Sequence, residues 1–119
     1  MTGHRVLSDM WGADNGVSDP GDGNNIIPEK DRMYVGLVTA SSETRVLLDP
    51  LKAGKQITLG FKTDGGDCVV TASTAVNQTG NNTLTFADAG DEITLRSIEK
   101  GSDLVWRVGS NDGVGLSTV

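Results

Sequence analysis

The stretch NNTLTFADAGDEITLRSIEKGSDLVWRV, Asn81 to Val108, decides how this chain is read. Leu84 and Phe86 alternate with Thr83 and Thr85, then the turn ADAG (Ala87 to Gly90) follows. Ile93 and Leu95 alternate with Thr94 and Arg96, then EKGSD (Glu99 to Asp103) follows. Leu104, Trp106 and Val108 alternate with Val105 and Arg107. An apolar period of two marks half-buried strands, because successive side chains leave opposite faces. Gly, Asp and Ser between such runs mark tight reversals. The stretch therefore reads as a three-stranded β-meander whose apolar face must be buried against something.

Working upstream, the same alternation recurs. MYVGLVTA (Met33 to Ala40) places Val35 and Leu37 on one face, and TRVLLD (Thr44 to Asp49) is assigned Val46 and Leu48. KQITLGFK (Lys55 to Lys62) points Ile57, Leu59 and Phe61 inward, with Gly60 marking a bulge or a close backbone approach. DCVVTAST (Asp67 to Thr74) aligns Cys68, Val70 and Ala72 after the turn TDGGD. No window reads as a helix long enough to stand alone. Seven or eight short strands at near-regular spacing predict an all-β fold, a small sandwich or barrel of short antiparallel strands.

The first 31 residues differ. MTGHRVLSDMWGADNGVSDPGDGNNIIPEKD is rich in Gly, Asp, Asn, Ser and Pro and keeps no period. Its apolar residues come in pairs: Val6 with Leu7, Met10 with Trp11, Ile26 with Ile27. A solvated linker has no need of them, so residues 1–31 are expected to be an extended N-terminal arm that orders in a partner's grooves. An arm folded back on its own domain is the competing reading. The β-domain is expected over residues 32–119 and to stand without Met1 to Ile27. Asp19, Asp22 and Asn24 could offer oxygens to calcium, but the EF-hand pattern is absent and a plain turn is the stronger reading.

With 119 residues the chain is one domain, or one domain and an arm. Only 4% of residues are aromatic and 16 are glycine, a composition that covers little core. One cysteine excludes an internal disulfide, and one histidine with it cannot make a usual zinc site. Oligomerisation is the remedy left, so a homo-oligomer is expected. A net charge of −6 argues against a nucleic-acid partner. No apolar run reaches membrane-span length and no signal segment opens the chain, so no membrane partner is expected and synthesis in a cytoplasm is.

Catalytic chemistry is hard to assemble from these residues. His4 lies in the arm, far in sequence from any nucleophile–base pair. Cys68 stands in an apolar register, where cysteine is a small buried hydrophobe. Asp64 with Asp67, and Asp88 with Asp91, fall in turns, where carboxylates bind backbone amides. Gly65-Gly66 has no following lysine and no helix, so it is no phosphate loop. Trp106 reads as a core anchor. Neither catalytic residues nor a cofactor are expected.

Thr83 to Phe86, Gly90 to Ile98, Gly101 to Asp103 and Leu104 to Val108 together resemble the end of a small β-domain found in tailed-bacteriophage virion proteins. These are head decoration (cement) proteins, head fibres and tail-fibre trimers. The arm resembles the capsid-gripping arms of cement proteins in composition and position. The resemblance implies a homotrimer on the capsid exterior that stabilises the shell of major capsid protein. Val6, Leu7, Met10, Trp11, Ile26 and Ile27 would then be the gripping residues. The first alternative is a fibre or receptor- and glycan-binding module, for which Trp11 and Tyr34 are the aromatic candidates. The second is a small β-barrel enzyme or accessory subunit.

Overall fold

A computed structural model describes residues 15–119. Among these residues ten strands form: β1 (Gly16–Val17), β2 (Asn24–Ile26), β3 (Arg32–Val38), β4 (Glu43–Leu47), β5 (Gln56–Thr63), β6 (Cys68–Ala72), β7 (Thr83–Phe86), β8 (Glu92–Lys100), β9 (Asp103–Asp112) and β10 (Gly115–Ser117). They make two five-stranded sheets, in the orders β1-β3-β5-β8-β9 and β10-β7-β6-β4-β2. The all-β expectation holds, and the architecture is a sandwich.

The expectation of antiparallel strands is corrected. Through the first six strands the chain alternates between the sheets, so β1, β3 and β5 run parallel in one and β2, β4 and β6 parallel in the other. Only the later strands pair antiparallel: β5 with β8, β8 with β9, β6 with β7, and β7 with β10. A parallel pair needs a crossover between its strands. Here that crossover is a strand of the opposite sheet. Turns such as SSE and TDGG are therefore arches over the core, not hairpins.

The supposed meander divides in the same way. β7 lies in the second sheet while β8 and β9 lie in the first, and ADAG carries the chain across. Leu84 and Phe86 thus face Ile93 and Leu95 across the core, all four fully buried. Phe61 and Phe86 meet edge to face at 6.1 Å and 68°. The Trp106 indole Nε1 donates to the Leu48 carbonyl at 2.9 Å, tying β9 to the chain leaving the other sheet. What buries the apolar face of Asn81 to Val108 is the partner sheet of the same chain.

Strand β4 reverses the expected register. Arg45 and Leu47 point inward, while Val46 and Leu48 are half-buried. β1 and β2 revise the domain boundary as well, because residues 16–26 already belong to the sandwich and the β pattern starts well before residue 32. The four sheet edges are protected within the chain. β2 and β10 are three residues each and β1 is two. Beyond β1, the Asp19 carboxylate takes the Val38 amide at 2.9 Å. The β6–β7 loop shields β9, with the Val108 amide donating to Val76 O at 3.0 Å. Short or covered edges do not template further strands.

Candidate functional site

Of the six expected gripping residues, Val6, Leu7, Met10 and Trp11 lie outside the described residues. Ile26 is corrected: it is only 2% exposed, at the end of β2, and belongs to the core. Ile27 is 53% exposed, on the rim of a small depression beside Val17 and Pro20. Adjacent residues on a strand leave opposite faces, so one isoleucine of the pair had to turn inward once β2 formed.

The segment between β1 and β2 is held by an ion-pair cluster. Arg45 is buried with its side chain fully enclosed. Its Nε donates to Asp19 Oδ1 and its Nη2 to Asp19 Oδ2, both at 2.8 Å, a fork-on-fork pairing. Nη2 also donates to Glu43 Oε1 at 2.9 Å and Val38 O at 3.0 Å, and Nη1 to Thr44 O at 3.0 Å. Burial alone would push the Asp19 carboxyl up. Hydrogen bonds from Arg45 and from the Val38 and Gly21 amides outweigh it and hold the pKa below the usual carboxylate value. The bond to Asp19 raises the guanidinium's pKa further, so Arg45 stays charged.

The same cluster engages the loop that offered oxygens to calcium. Asp19 is engaged by Arg45, Asp22 Oδ1 accepts from the Thr44 amide at 2.9 Å, and Asn24 Nδ2 donates to Pro20 O at 2.8 Å. Both Asp19 oxygens and one of Asp22 thus serve the fold. The loop is a strap joining both sheets at one end of the sandwich.

Cys68 is fully buried on β6, where burial pushes its thiol up to about 11. A thiolate is suppressed there, as the apolar register predicts. Gly65 and Gly66 serve packing: a Cβ at Gly65 would lie 2.3 Å from Thr39 O, and one at Gly66 2.4 Å from the Ser41 carbonyl carbon. Thr39 Oγ1 locks this corner, donating to Gly66 O at 2.6 Å and accepting from the Gly65 amide at 3.1 Å.

The open surface nearest the entry of the chain surrounds Tyr34. This residue stands mid-strand on the outer face of the first sheet, 40% exposed, not at a loop tip. Its ring lies over Gly60, where a Cβ would come within 2.5 Å of the phenol oxygen. Gly60 is thus the close approach that its place in an alternating strand allows. Two depressions flank Tyr34. One of 380 Å³ is bounded by Asn15, Gly16, Arg32, Met33, Gln56 and Thr58. The other, of 480 Å³, runs past Ser18 and Gly36 to Val38 and Lys62. The described chain begins at the first of them. Sequence reasoning missed this surface and the strap. The signals were present in Tyr34 paired with a strand glycine, and in a lone arginine on a core strand downstream of DPGD.

No protein-family model matches the chain, and no curated protein matches it.

Proposed function

We propose that this chain is a structural virion protein, a tailed-phage head decoration protein that binds and stabilises the shell of major capsid protein. One observation carries the reading furthest. The sandwich draws its core from Ile26 to Val114, so it is a complete mount. Upstream of it stands a segment holding Val6, Leu7, Met10 and Trp11. The described chain starts at Asn15, beside the rim of Met33 and Tyr34. Apolar burial against a capsid surface contributes roughly 25 cal/mol per Å², reduced by the entropy of ordering the segment.

The resemblance of residues 83–108 to virion β-domains supports the same reading. The homotrimer rests on that resemblance alone. The apolar face of residues 81–108, which a second copy could have covered, is covered within the chain. Three copies would add avidity, since second and third contacts become intramolecular. The second reading, a fibre or receptor-binding module, is favoured by the exposed Tyr34 between two open depressions.

Trp11→Ala tests the leading reading by co-sedimentation with empty heads stripped of the protein. Binding should fall steeply, since an anchoring tryptophan carries on the order of 2 kcal/mol or more. Unchanged binding overturns the assigned grip. Multi-angle light scattering tests the trimer separately, and a monomer at micromolar concentration removes it.

A further inference from the structure

From the outer face of β8 and β9 we infer a second interaction site, one that takes carboxylates presented by an acidic segment of a partner protein. Arg96 and Arg107 stand directly opposite one another on these antiparallel strands. Facing side chains of such a pair are about 5 Å apart at Cβ, and like charges there are destabilising. Lys100 lies farther along the same strand, on the rim of the same 390 Å³ depression. None of these three cations forms a salt bridge among the described residues. Arg107 is oriented, with Nη1 donating to Ala75 O at 2.7 Å and Trp106 O at 3.1 Å. Among the described residues its other donors make no hydrogen bond to protein.

The concentration of positive charge stands out against a chain of net charge −6. Two acids border the patch, Glu99 on its rim and Asp103 opposite Lys100, and neither stands opposite Arg96 or Arg107; a larger acidic group lies at the far end of the sandwich. The register places Glu92 beside Asp112, with Asp88 and Asp91 in the adjoining turn, at the end of the sandwich opposite Lys100. Two planar guanidinium groups are suited to bidentate carboxylate binding. Ile98 and Val108 add apolar surface to the same depression. That combination fits a Glu or Asp flanked by apolar residues. A phosphate chain fits less well, because its unbroken run of charge would extend over Glu99 and Asp103, whereas a short acidic pair between apolar residues ends before them. The site is remote in sequence from residues 1–14 and does not depend on the capsid reading.

The test is an amide chemical-shift titration of the full-length protein at low salt with the blocked peptide Leu-Glu-Glu-Leu. Saturable shifts are expected at Arg96, Ile98, Lys100 and Arg107, weakening with salt. Arg96→Gln should weaken binding roughly fivefold, the range of an exposed charge pair. It should also raise the melting temperature, because the opposed charges are relieved. The inference is overturned if no saturable shift occurs, if Leu-Gln-Gln-Leu binds equally, or if Arg96→Gln binds as the parent does. Tighter binding of tetrathymidylate than of the acidic peptide overturns the choice of partner.

Discussion

At the scale of single residues, the Arg45–Asp19 fork is the contact whose loss is most readily measured. Asp19→Ala removes both ends of the fork but leaves Arg45 paired with Glu43, so the loss falls at the low end for breaking a buried pair, about 3 kcal/mol. Asp19→Ala is therefore expected to lower the urea midpoint by that equivalent without changing the denaturant slope. The pair also sets a pH response. Asp19 has a folded pKa below its unfolded value, so its contribution is present above the unfolded value near 4 and is lost as pH falls through the folded one. Stability of the parent should decline on acidification below about pH 4, and Asp19→Asn should flatten part of that decline. Trp106→Ala removes a buried indole and orphans the Leu48 carbonyl, a loss of about 3–5 kcal/mol on equilibrium denaturation. Cys68→Ser should cost only about 1–3 kcal/mol by burying a hydroxyl, with binding retained in the folded fraction.

At the scale of elements, alternation located the core strands β3, β5, β6, β8 and β9 and their inward faces, because a period of two is written directly in the sequence. It could not tell a hairpin from an arch. Both need the same turn residues, and only the pairing partner differs. β4 was misread because an apolar count gave no weight to an inward arginine whose acid lies 26 residues upstream. β2 was missed because three residues are too few for a period, although Asn24 and Asn25 before the isoleucines and Pro28 after them bound a short strand. The arch at Gly65-Gly66 offers a test at this scale. Gly65→Ala drives a Cβ into the Thr39 carbonyl, a backbone contact that cannot yield cheaply. A loss of about 1–3 kcal/mol is expected, the range of overpacking, read as a lower thermal midpoint.

At the scale of the whole molecule, two apolar sheet faces close on one another and the edges are short or covered, so the described sandwich holds itself together. The gripping residues were only partly legible. Two adjacent isoleucines in a Gly/Asp-rich segment look alike whether they bind a partner or begin a strand, and Ile26 proved to be core. The strap through Asp19 makes residues 15–31 part of the domain, so deleting residues 1–27 should unfold it, contrary to the boundary expected from composition. Deleting residues 1–14 spares every strand among the described residues and the ion-pair cluster. That truncation measures the central claim most directly, by co-sedimentation with empty heads alongside a thermal melt. The account predicts a parent-like melting temperature and loss of head binding. A truncated protein that melts normally and still binds heads as the full chain does would contradict it.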